Sequence, residues 1–102
     1  VQSVYNRKSP TYQIDKQKLI FFVEKFISLY PKSKNADNAQ FWIGEIYYRE
    51  KWYEKAILEY QKVIEKYPKG NKVPASLLKQ GFAFYNLGDK SNSRLILELA
   101  LI

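Results

Sequence analysis

Tyr30-Pro31-Lys32-Ser33 returns as Tyr67-Pro68-Lys69-Gly70, with the two prolines 37 residues apart (68 − 31). The same offset carries Gly44 onto Gly81, Tyr47 onto Phe84, Tyr48 onto Tyr85 and Tyr60 onto Leu97. Self-similarity at a period of about 20–50 residues is the mark of stacked units, each unable to bury its apolar face alone. Such an array offers a surface that holds other molecules, not a pocket that transforms them.

Working outward from those prolines, the apolar spacing is helical throughout. Leu19, Phe22, Val23, Phe26, Ile27 and Tyr30 fall on one stripe of a helix over 15–30, and Pro31 ends it by pushing Tyr30 out of the α region. Asn35 is placed to cap a second helix running to about Arg49, with Ala39, Ile43, Gly44, Ile46 and Tyr47 inward. Glu50-Lys51-Trp52 makes a short turn. A third helix over about 53–67 turns Ala56, Ile57, Tyr60, Val63, Ile64 and Tyr67 inward and stops at Pro68-Lys69-Gly70-Asn71. Pro74 suits the first turn of a fourth helix, 73–87, which Gly88 terminates; Asp89 caps a fifth from Lys90 to the end. Two readings stand for residues 1–14. In one, Ser3–Arg7 ends an earlier helix and Ser9-Pro10 starts a longer one; in the other the stretch is an extended loop.

The chain has 102 residues, one domain's worth, and its 46% apolar content argues against disorder. It has no methionine, even at its first position, which reads as a processed or excised piece. No apolar run reaches the roughly 18 residues of a membrane span, and no secretory signal is visible. The net charge of +7 invites a nucleic-acid reading. Against it, Glu50, Lys51, Glu54, Lys55, Glu59, Lys62, Glu65 and Lys66 alternate in sign at helical spacing, and Lys32, Lys34, Lys66, Lys69 and Lys72 cluster where helix C-termini fall. Solvation and helix support are therefore preferred. With neither histidine nor cysteine, the usual nucleophilic triads, imidazole bases and zinc sites are excluded. Glycines at 44, 70, 81 and 88 form no phosphate-cradling loop. No cofactor is expected, and no enzymatic activity.

Gly44, Tyr47, Ala56, Tyr60, Val63 and Pro68 stand where the tetratricopeptide repeat has its small, aromatic and proline positions. The resemblance implies an all-α superhelix of α-α hairpins with about two and a half repeats in a single domain: a degenerate first unit over 1–34, a second over 35–70 and a truncated third over 71–102. The third keeps Gly81, Phe84, Gly88, Leu97 and Ala100 but has Ser93 at the close-contact position and Gln80 where an aliphatic is usual. Two strings, Ala36-Asp37-Asn38-Ala39-Gln40-Phe41-Trp42-Ile43-Gly44-Glu45 and Leu77-Leu78-Lys79-Gln80-Gly81, resemble the C-terminal domain of the Tol–Pal-associated YbgF/CpoB family. That resemblance implies a periplasmic, non-enzymatic adaptor binding TolA-like or peptidoglycan-synthase partners, which coordinates peptidoglycan synthesis with outer-membrane constriction in cell division. The family's N-terminal coiled coil is not in these residues. The repeats also resemble those of the outer-membrane assembly lipoprotein BamD, through the Tyr-Pro-x-Ser spacers, and an RNA-binding helical repeat is the alternative that the charge suggests.

Repeat stacks place the first helix of each pair on the concave side. The candidate partner-binding groove is then Asn38, Phe41, Trp42, Glu45, Tyr48 and Arg49 on one helix, and Leu78, Lys79, Phe82, Tyr85 and Asn86 on its repeat-related counterpart. Aromatics beside arginine are the composition of binding hot spots. Tetratricopeptide clamps that grip an acidic C-terminus use asparagine and lysine there; Phe41, Trp42 and Glu45 favour an apolar, helical or extended segment instead. Over 90–102, Leu95, Ile96, Leu97, Leu99, Ala100, Leu101 and Ile102 are apolar almost all round, which predicts an exposed patch and self-association.

Overall fold

The computed structural model describes the backbone of residues 10–102 and the side chains of 16–102. Among the described residues there are five helices and no strand: α1 (Pro10–Leu29), α2 (Ala36–Arg49), α3 (Tyr53–Lys66), α4 (Val73–Asn86) and α5 (Lys90–Ala100). Each packs on the next in chain order, with α1 meeting α2 least extensively. α2/α3 and α4/α5 are the two complete hairpins. α1 starts at Pro10, a residue pre-set for a helix's first turn, as in the longer-helix reading. Ser3–Arg7 lies outside the described residues.

The close approach within each hairpin follows from missing side chains. Gly44 on α2 faces the ring of Tyr60 on α3, and Ala56 is wholly buried beside them. One repeat later Gly81 faces Leu97, and Ser93 occupies the alanine position. That serine is buried without loss because its hydroxyl donates to the Gly81 carbonyl across the hairpin at 2.8 Å. Gln80, in place of an aliphatic, reaches back to α3 and donates to the Ile57 carbonyl at 3.0 Å and to Gln61 at 2.9 Å. On α2, Gln40 does likewise to the Glu59 carbonyl and side chain. The interior is thus partly polar, and the buried Gln40, Gln80 and Ser93 side chains each donate across a helix boundary.

Both hairpin turns are built alike. Trp52 and Lys51 donate to the Tyr47 and Tyr48 carbonyls at 3.0 Å, and Asp89 and Gly88 donate to Phe84 and Tyr85 at 2.9 Å. This is the Schellman closure, which needs a left-handed residue just past the helix. Gly88 fills it at φ +83°; at the equivalent place Lys51 is held at φ +63°. Asp89 caps α5 as expected, accepting from the Asn92 N–H at 3.1 Å.

Four expectations need correction. Asn35 stands at the α2 N-cap but makes no side-chain cap, because its own backbone is already helical (φ −95°, ψ −5°), which turns the amide away from the free N–H groups. On α1, Leu19, Phe22 and Tyr30 are exposed at 52, 64 and 56%, and only Ile20, Val23, Phe26 and Ile27 are partly covered. Among the described residues α1 has α2 as its sole extensive helical neighbour, so half of its stripe has nothing to pack on. Ala39, Ile46 and Tyr47 are only half-buried, while Ala36, Gln40 and Phe41 are buried. Finally, of the clustered lysines Lys66 ends α3, and Lys32 and Lys69 follow the ends of α1 and α3 as expected, but the other two do not. Lys34 precedes the α2 N-cap and Lys72 is the α4 N-cap, at the dipole end that disfavours a cation.

Candidate functional site

Helices α2 and α4 are the first members of their hairpins, and their side chains meet over α3. Glu45 on α2 is the hub. It accepts from the Tyr60 hydroxyl at 2.5 Å and faces the Lys79 ammonium of α4 at 3.6 Å. Lys79 also lies 4.2 Å above the Tyr48 ring. Asn86, one turn beyond Phe82 on α4, donates to the Tyr48 hydroxyl at 3.2 Å and to the Phe82 carbonyl at 2.9 Å. Tyr48 in turn packs edge-on against Tyr53 at 5.3 Å. A carboxylate, an ammonium, an amide and the Tyr48 phenol thus link α2 to α4, while the Tyr60 phenol ties the same carboxylate to α3.

Beside this bridge, Arg49 stacks over Trp42 at 5.4 Å, and Trp42 stays 42% exposed. A guanidinium resting on indole holds both flat side chains in one orientation before any partner arrives. The Tyr60 phenol is raised well above the usual tyrosine range, chiefly by burial and then by its bond to the Glu45 carboxylate. Tyr48 is raised as well, first by burial and then by Tyr53. Both are neutral hydrogen-bonding groups at physiological pH.

The expected groove residues divide. Glu45, Tyr48, Lys79 and Asn86 come together; Trp42 and Arg49 flank them on α2. Asn38 is half-buried near the start of α2. Phe41 is the correction: at 8% exposure it belongs to the core, tilted against Tyr60 at 5.7 Å and edge-on to Trp42, with the Lys72 ammonium 5.2 Å above it. Leu78, Phe82 and Tyr85 also depart from a single row. They remain 43, 39 and 62% exposed but line an open cleft of about 830 Å³ between α4 and α5, together with Leu97 and Leu101. Tyr53 and Lys72 are contributors that sequence reasoning missed, since neither lies on the repeat-related face of α2 or α4. Among the described residues no group of histidine, cysteine, aspartate and glutamate side chains could hold a metal ion, and no helix is long and apolar enough to cross a membrane.

Two models of the tetratricopeptide repeat match the chain, one over residues 37–69 and the other over 75–101, together more than half of its length. The chain belongs to the tetratricopeptide-repeat family. The matched stretches are the α2/α3 and α4/α5 hairpins, so the fold is the all-α solenoid of that family. No curated protein matches the chain. In tetratricopeptide-repeat terms, Gly44, Tyr60 and Pro68 perform the structural roles of the repeat. Trp42, Glu45, Tyr48 and Arg49 lie on the first helix of the matched repeat, outside those structural positions. The repeat is a protein–protein interaction module.

Proposed function

We propose that the chain is a non-enzymatic protein-binding adaptor whose α2/α4 face takes an apolar helical or extended segment. The observation that carries this is the pre-ordered Trp42–Arg49 stack beside the Glu45–Lys79–Tyr48–Asn86 bridge. Because the bridge satisfies its own charges, an incoming segment gains from burying indole and phenol surface more than from salt bridges. Large aromatics and arginine held rigid at a concave face are the groups whose truncation costs most in a complex, about 2 kcal/mol or more each.

The finer reading rests on the two YbgF/CpoB-like strings. It is a periplasmic adaptor of the Tol–Pal system, coupling peptidoglycan synthesis to outer-membrane constriction through TolA-like or synthase partners. A pulldown from bacterial envelope proteins with the unaltered domain, Trp42→Ala and Tyr48→Ala tests both levels. Loss of a common partner in both variants supports the groove, and recovery of Tol–Pal components supports the finer reading. If both variants retain every partner, the groove assignment is wrong.

A further inference from the structure

The loops joining α1 to α2 and α3 to α4 are one repeat apart and lie side by side. Ser33, Lys34 and Asp37 from one, with Lys66, Tyr67 and Lys69 from the other, line a single open cleft of about 570 Å³. Lys32, Lys34, Lys66 and Lys69 are all exposed along this edge. None takes part in any ion pair among the described residues, where the pairs formed are Lys16–Glu50, Lys62–Glu59, Lys79–Glu45 and Arg94–Glu98. Two acids close to them, Asp37 and Glu65, offset part of this charge and leave the edge net positive. Asp37 is buried, with one carboxylate oxygen accepting from the Asn38 N–H, and Glu65 accepts from Gln61. Helix support accounts for only part of this charge: Lys66 ends α3, Lys32 and Lys69 follow the ends of α1 and α3 by three residues, but Lys34 precedes the α2 N-cap, at the positive end of a helix.

We propose that this edge docks onto an anionic lipid surface, separately from the α2/α4 groove. Lysine supplies unspecific point charge, and the edge has no arginine, the residue suited to bidentate phosphate recognition in nucleic acid. Next to the lysines, Leu29 and Tyr30 stand 60 and 56% exposed, an apolar side chain and a phenol of the kind that settles at headgroup depth. Each lysine brought near such a surface strengthens binding about five-fold, so four together account for several-hundred-fold.

Co-sedimentation with phosphatidylcholine vesicles, with and without about one third phosphatidylserine, tests this. The chain is expected to bind the anionic vesicles only and to be released as salt shortens the screening length. Replacing Lys32, Lys34, Lys66 and Lys69 together by Glu should weaken binding at least several-hundred-fold. Replacing the exposed Lys18, Lys25, Lys51 and Lys90 by Glu changes net charge equally and should cost far less. Circular dichroism of both variants establishes that they are folded. No binding to anionic vesicles, or equal losses in the two variants, overturns the proposal. Tighter binding of a labelled single-stranded oligonucleotide, lost in the edge variant, overturns it in favour of nucleic acid.

Discussion

Gly44→Ala is the substitution that tests the hairpin geometry most directly. A β-carbon at Gly44 would stand 2.5 Å from Tyr60 Cε1, 2.6 Å from Cδ1 and 3.1 Å from Cζ. Normal carbon contact needs about 3.5 Å or more, so something must move by nearly an ångström. Tyr60 has no freedom to do so: it is 0% exposed, its ring lies on Phe41 and its hydroxyl is held by Glu45. The hairpin must open instead. Overpacking of this kind costs about 1–3 kcal/mol, and the upper end applies to a rigid ring met broadside. Alanine's better helix propensity returns about 1 kcal/mol. The net loss is therefore about 2 kcal/mol, or a melting temperature lower by roughly 8–16 °C for a domain of this size.

Gly81→Ala is the internal control. Its β-carbon would meet Leu97 Cδ2 at 2.5 Å and Cγ at 2.6 Å, but Leu97 is half-buried on the last helix and can rotate aside. There the two terms nearly cancel. Urea unfolding followed by circular dichroism, with the unaltered chain and both variants side by side, measures the difference. If Gly44→Ala is as stable as the unaltered chain, or if both variants lose the same amount, close packing of α2 on Tyr60 is not what limits the hairpin.

Further outcomes follow from single features of the fold. Lys51→Gly relieves a left-handed lysine that forms no ion pair, and should raise the melting temperature by a few degrees, about 0.5–1 kcal/mol; no change would mean the turn is unstrained. Asp89→Ala removes the one side-chain cap seen at the start of α5 and should lower stability by about 1 kcal/mol, with fraying of α5 detectable as faster amide exchange over 90–95. Tyr60, Tyr47, Tyr48 and Tyr67 all hold their protons more tightly folded than unfolded, so their contribution is complete below the ordinary tyrosine pKa of 10 and is lost as pH rises above it. Alkaline unfolding should begin there, and Tyr60→Phe should flatten the slope of stability against pH; an unchanged slope would refute the assignment to Tyr60.

What could be read from the sequence, and what could not, divides along a physical line. Gly44, Ala56, Tyr60 and Pro68 were legible because close helix approach dictates which side chains must be small, and that demand recurs with the repeat. Asp89 was legible because capping is local. Asn35 looked the same in sequence but enters its helix already turned, a property set by the Ser33 carbonyl accepting from Ala36 at 2.9 Å and not by the asparagine itself. Exposure on α1 is a matter of neighbours, which an amphipathic stripe does not reveal. The groove shows the same limit at closer range. The repeat singles out α2 and α4 as the first helices of their hairpins, yet it gives Phe41 and Leu78, 37 residues apart, equivalent standing. What separates them is what covers them: Phe41 lies against Tyr60 across the hairpin, with Lys72 and Ala75 of the next repeat closing over the same cluster. Tyr60 fills the notch left by Gly44 and presents its ring to Phe41, drawing it into the core. In the next hairpin Leu97 fills the notch and Leu78 stays exposed at the cleft between α4 and α5. If that account is right, Tyr60→Leu should release Phe41 toward solvent and enlarge the groove, so the residue that sets the binding face lies on α3, outside the face it shapes.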